Sequence, residues 1–136
     1  MPARIDHIAL WTHDLDRLKR FYTTYFGATA GPNYVNPAKG FASCFLSFSG
    51  GARIEVMTTT SVPLSMPAPG TQPFGLTHLA ISVGSSELVD ELTSRLRSEG
   101  TRILDGPRHT GDGCYEAVAL DPDGNRVEIC AGRLAS

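Results

Sequence analysis

GARIEVM, residues 51 to 57, returns as GNRVEIC, residues 124 to 130, at a constant offset of 73 that sets Gly51 on Gly124, Arg53 on Arg126 and Glu55 on Glu128. Upstream of each copy a second, looser match appears. IDHIALWTHDLDRLKRFYTTYFGAT recurs as LTHLAISVGSSELVDELTSRLRSEGT, with His7 on His78 and Gly27 on Gly100. Self-similarity in this order marks two copies of one supersecondary plan.

Each copy has the same order of periodicities. RIDHIALW alternates Ile8 and Leu10 against His7 and Ala9, as a strand with two unlike faces does. A helix follows, with Asp14 as N-cap, Leu15, Leu18, Phe21, Tyr22, Tyr25 and Phe26 at helical spacing, and Gly27 as its stop. Strands are expected at about 28 to 35, 41 to 49 and 52 to 58, which makes βαβββ. The second copy repeats it: a strand near 76 to 83, a helix from Ser86 through Glu99 carrying Leu88, Leu92 and Leu96, and strands near 101 to 105, 114 to 121 and 125 to 131. Asp121-Pro122-Asp123-Gly124 is a turn that feeds the last strand.

The expected fold is therefore α+β: two tandem βαβββ modules forming a concave, open barrel-like mixed sheet with helices on the outside. We read residues 1–136 as one domain, with module 1 at about 4–58, a linker at about 59–74 and module 2 at about 75–131. Pro63, Pro67, Pro69 and Pro73 keep regular helix or central strand out of the linker. A helix after each first strand covers one sheet face, so function belongs on the other.

A net charge of -2 with scattered Lys and Arg argues against nucleic acid. The start, MPARIDHIALW, lacks the pattern of a secretory signal and no apolar run reaches bilayer-spanning length, so no membrane is expected and the cytoplasm is the default location. Cys44, Cys114 and Cys130 form no C-x-x-C pair and are odd in number, which reads as reduced thiols rather than a disulfide framework.

Strand alternation sets Glu55 against Ile54 and Val56, His78 against Thr77 and Leu79, and Glu128 against Val127 and Ile129. Burying two carboxylates among hydrophobic strands is costly unless something neutralises them. A divalent cation does so. His7, Glu55, His78 and Glu128 form an N2O2 donor set suited to Ni, Co or Zn, with Mn or Fe(II) also compatible, and too rich in nitrogen for calcium. Ala9 and Ala80, two residues past each histidine, leave room for a ligand. The competing reading is ordinary strand salt bridges with Arg53 or Arg126. His13 and His109 lack repeat partners and read as exposed, and Gly111-Asp112-Gly113 reads as a hairpin rather than a phosphate cradle.

With DHIALWTHDLDRLKRFYTTYFGA, RIEV, THLAIS and TGDGCYEAVALDPDGNRVEI in hand, the chain resembles the vicinal oxygen chelate superfamily over nearly its whole length. That superfamily includes glyoxalase I, fosfomycin-modifying thiol transferases, extradiol dioxygenases, methylmalonyl-CoA epimerase and bleomycin-binding proteins. Glyoxalase I-like members use a His or Gln, a Glu, a His and a Glu, and His7, Glu55, His78 and Glu128 fill those places. The resemblance implies a metal-dependent lyase that acts on a thiol-2-oxoaldehyde hemithioacetal through an enediolate, with Glu128 as general base and Glu55 as ligand or aid to reprotonation. It implies a homodimer, and the linker fits a site closed within one chain or shared between two. The alternatives are a metal-dependent thiol transferase acting on an electrophile, and a non-enzymatic antibiotic- or metabolite-binding protein.

One departure bears on the substrate. Glutathione-using bacterial relatives typically carry Arg four positions after the first His and Asn four after the first Glu, whereas this chain has Trp11 and Thr59. We read both as substrate-binding positions; Trp11 shares the His7 face, where it either walls an apolar pocket or packs in the core.

Overall fold

The structure, a computed structural model, describes residues 1–62, 68, 71–72 and 74–132. The chain divides into two compact units, Met1–Met66 and Pro67–Ser136. The linker prolines Pro63, Pro67, Pro69 and Pro73 lie outside the described residues.

In unit 1, β1 (His7–Trp11) leads into α1 (Leu15–Phe26), then β2 (Thr29–Ala30), β3 (Tyr34–Asn36), a 3-10 turn at Pro37–Lys39, β4 (Phe41–Ser47) and β5 (Arg53–Thr59). The sheet runs β1-β5-β4-β2, with β3 also paired to β4. β1 lies parallel to β5, and β5 antiparallel to β4. The Asp14 carboxylate accepts from the Arg17 backbone N–H at 2.9 Å and caps α1 as expected. Gly27, at φ 66, ends the helix in the left-handed conformation that only glycine adopts without strain. The single strand expected at 28 to 35 is two short pairings instead. Gly31 N–H still donates to the Phe45 carbonyl at 2.9 Å, but Pro32 has no N–H to continue the ladder.

Unit 2 has β6 (His78–Ser82), α2 (Ser86–Ser98), β7 (Ile103–His109), β8 (Tyr115–Leu120) and β9 (Arg126–Cys130), in the sheet order β6-β9-β8-β7. This is the expected βαβββ. β7 runs past the expected end at 105 to His109, because an edge strand with bulged register tolerates Pro107. His109 is accordingly a strand residue opposite Tyr115, and it is exposed, as is His13. The Asp121 carboxylate accepts from the backbone N–H groups of Asp123 and Asn125, each at 2.9 Å, which fixes the turn into β9.

Each helix packs on its own sheet: α1 on β4 and β5, α2 on β7, β8 and β9. Leu18, Tyr22, Leu46 and Val56 are fully buried in the first core, and Val89, Leu96, Val127 and Ile129 in the second. Truncating one of these leucines to alanine costs about 2–5 kcal/mol. On α2 the buried stripe is Val89, Thr93 and Leu96, while Leu88 is 45% exposed. The expected stripe of Leu88, Leu92 and Leu96 is thus shifted, because Val89 and Thr93, lying four apart, take the inward face. The result is an α+β fold of two modules, each a mixed sheet with one helix-covered face. No helix among the described residues is long and apolar enough to cross a membrane.

Candidate metal centre

Gly51 and Gly124, the repeated glycines, have φ values of 80 and 83 and turn the chain into β5 and β9 in the same way. The registers that follow are equivalent. His7 pairs with Arg53 and Ala9 with Glu55; His78 pairs with Arg126 and Ala80 with Glu128. In β5 and β9 the apolar residues on either side of each glutamate are buried, while Glu55 and Glu128 are half-buried on the opposite face. Each predicted His and Glu therefore lies on the sheet face away from its helix.

In unit 2 the two predicted ligands meet: His78 Nε2 stands 3.1 Å from Glu128 Oε2. Around them lies an open pocket of about 650 Å³ whose lining includes His78, Ala80, Glu116, Glu128 and Cys130. Ala80 leaves the room expected of it. Gly111 and Asp112, in the tip of the β7–β8 hairpin, also line the pocket, and the tip is closed by the Thr110 N–H donating to the Cys114 carbonyl at 2.8 Å.

Glu116 was not among the expected ligands. It sits opposite Cys130 in the β8–β9 register, and donor atoms of Glu116, Glu128 and Cys130 all lie within 4.8 Å of one another. Burial holds the Glu116 carboxyl above the usual carboxylate range, and the neighbouring Glu128 raises it further. Burial likewise pushes the Cys130 thiol up to about 12, aided by Glu116, Cys114 and Glu128, so at neutral pH it is an uncharged thiol. Carboxylates crowded in this way with an imidazole beside them are a donor set that a divalent cation satisfies, and the residues fit such an ion.

In unit 1 His7 turns its Nδ1 to Asp6 Oδ2 at 2.8 Å rather than to Glu55, and Glu55 sits between Ala9 and Phe45. Arg53 Nη2 donates to the same Asp6 oxygen at 2.9 Å. The His7 and Arg53 bonds hold the Asp6 carboxyl below its ordinary value. Trp11 is 48% exposed on the His7 face with its ring edge-on to Phe41 at 6.3 Å, so it belongs to the open face and not to the core. Thr59 closes β5 opposite Phe41, and its hydroxyl bonds to that of Ser61 at 3.2 Å.

The family model described as Glyoxalase/Bleomycin resistance protein/Dioxygenase superfamily matches residues 4–129. The chain is 30% identical over 128 residues to the uncharacterized protein YqjT of Bacillus subtilis (strain 168), covering 92% of this chain and 96% of that one. It is also 30% identical over 128 residues to the lactoylglutathione lyase GLX1 of Arabidopsis thaliana, covering 93% of this chain but only 43% of that protein. The chain thus spans less than half the length of the plant lyase. Among solved structures, the trypanothione-dependent glyoxalase I of Leishmania major superposes with a TM-score of 0.71 at 25% identity, covering 94% of this chain and 86% of that one. With a family match over residues 4–129 and a duplicated module presenting His and Glu on the uncovered face of each sheet, the chain belongs to the Glyoxalase/Bleomycin resistance protein/Dioxygenase superfamily.

Proposed function

We propose that the chain is a metal-dependent lyase of the glyoxalase I type, in which His7, Glu55, His78 and Glu128 hold one divalent ion, with Ni, Co and Zn ahead of Mn and Fe(II). The reading is supported above all by the matched registers, which put His and Glu on the open face at the same two steps in both sheets. When bound, the ion supplies Lewis acidity that stabilises the charge building on the substrate's two vicinal oxygens. Glu128, against the pocket beside His78, takes the carbon-bound proton and returns it to the neighbouring carbon. Glu55, beside Phe45 and Ala9, serves as ligand. The two modules act as one domain within a homodimer.

Trp11 and Thr59 bear on the choice of thiol. Neither carries the charge or amide that would grip a glutathione carboxylate, so the substrate is the hemithioacetal of another thiol. The trypanothione dependence of the Leishmania major glyoxalase I supports a co-substrate other than glutathione.

The test is turnover of methylglyoxal with a panel of low-molecular-weight thiols on fully metallated protein. We expect the glutathione adduct to be poorer than at least one other, and Trp11→Arg to improve its use by about 3–10-fold, the worth of one exposed charge-assisted contact. Efficient glutathione turnover by the unmodified chain would overturn the thiol assignment. Turnover of a thiol with an epoxide instead would make the protein a transferase, and tight binding without any turnover would make it a sequestering protein.

A further inference from the structure

The two histidines occupy equivalent register positions, yet their Nδ1 atoms face different chemistry. His7 Nδ1 lies 2.8 Å from a carboxylate oxygen of Asp6, and His78 Nδ1 lies 2.9 Å from the Thr77 hydroxyl. An ionised carboxylate only accepts hydrogen bonds, so the proton of a neutral His7 imidazole sits on Nδ1 and the lone pair on Nε2. A hydroxyl donates or accepts, so Thr77 dictates nothing. His78 Nε2 in turn faces Glu128 Oε2 at 3.1 Å, an acceptor that draws the proton to Nε2.

The Asp6 carboxylate is itself held. Arg53 donates to Asp6 Oδ2 through Nη2 at 2.9 Å, and its backbone N–H donates to the Asp6 carbonyl at 3.0 Å. The Arg53 guanidinium carbon lies 4.2 Å from the centre of the Phe45 ring, and that ring meets His7 edge-on at 5.3 Å. Three strands thus contribute to one clamp: Asp6 just ahead of β1, Phe45 on β4 and Arg53 on β5. In unit 2, Thr77 stands in place of Asp6, and Val118, opposite Glu128, stands in place of Phe45, opposite Glu55.

From this juxtaposition we infer that Asp6 is a positioning residue that sets His7, ahead of metal arrival, to donate through Nε2, whereas His78 carries no such setting. The inference rests on the metal-ligand reading of His7 proposed above. A carboxylate behind a ligating imidazole fixes both tautomer and ring orientation, and losing it typically weakens metal binding by about 10–100-fold. Asp6 is 71% exposed, and water competes for it, so the lower end applies.

The test uses the full chain, first stripped of metal. Nitrogen-15 NMR of the imidazoles should show His7 as the Nδ1–H tautomer, and Asp6→Ala should shift it toward the Nε2–H form that prevails in free histidine. Calorimetric titration with Zn²⁺ should then show about tenfold weaker binding in Asp6→Ala. Asp6→Asn, which keeps an accepting oxygen, should recover most of the loss, and Thr77→Val should stay within about twofold of the unmodified chain. Loss of the tautomer with unchanged Zn²⁺ affinity overturns the positioning role alone, as does an equal loss in Thr77→Val. A pinned His7 tautomer in an unmodified chain that binds no Zn²⁺ overturns the metal reading and the positioning role together.

Discussion

The two open sheet faces share one register and carry opposite chemistry. Phe41, Ser43 and Phe45 on β4 stand where Cys114, just ahead of β8, and Glu116 and Val118, within it, stand, and Met57 and Trp11 stand where Cys130 and Ser82 stand. Unit 1 therefore presents a broad aromatic and thioether surface around His7 and Glu55, extended by Tyr34 packed against Phe41 at 6.1 Å. Unit 2 presents small and acidic side chains around His78 and Glu128 and leaves the pocket of about 650 Å³ between them. The His, the Ala two residues past it, the Arg and the Glu are common to both faces. The His and Glu positions thus agree between the two faces, while their surroundings differ, apolar in one half and small and acidic in the other.

The sharpest way to break that division is to treat the two glutamates alike. Glu128→Gln keeps a ligating oxygen and removes the basic one, so exchange of the substrate's carbon-bound proton with deuterated water should fall by about 10²–10⁴-fold at saturating metal. Glu55→Gln, in the aromatic half, should cost less. Near-normal exchange in Glu128→Gln with loss in Glu55→Gln would reverse the roles, and normal exchange in both would remove the carboxylate base altogether.

A smaller effect is expected from the electrostatic difference between the two faces. Glu116, which faces Glu128, has no acidic counterpart in unit 1, where Ser43 stands. Its folded-state pKa is raised, so its contribution to stability is present below the unfolded value and is lost as pH rises through the folded value. In the metal-free chain Glu116→Gln should therefore raise Tm at pH 7 by about 1–3 °C, with the gain vanishing near pH 4. A fall in Tm at pH 7 would show that the Glu116 charge is stabilising as it stands.

A repeat marks only positions where both halves agree, so it exposed His7, Glu55, His78, Glu128, Gly51 and Gly124, and strand alternation then gave their face. Glu116 and Asp6 escaped because their counterparts are Ser43 and Thr77, although the alternation of Glu116 with the buried Ala117 and Ala119 carried a faint signal. Cys130 escaped because its counterpart, Met57, is apolar, and a lone thiol beside Glu128 reads as packing. Helix limits were legible through caps such as Asp14 and Gly27. The break at Pro32 and the passage of β7 through Pro107 were not, since proline's effect depends on which side of a strand is an edge.

In the proposed site both unlike faces contribute ligands to one ion. Zn²⁺ titrated calorimetrically into the chelator-stripped chain, with His7→Ala and His78→Ala measured alongside, decides whether they do. We expect one ion per chain, a rise in Tm on loading because the ion binds only the folded state, and a marked loss of affinity in both variants. Binding that His7→Ala leaves untouched while His78→Ala abolishes it would place the ion on unit 2 alone, with Glu116, Glu128 and Cys130, and would rule out a ligand role for His7.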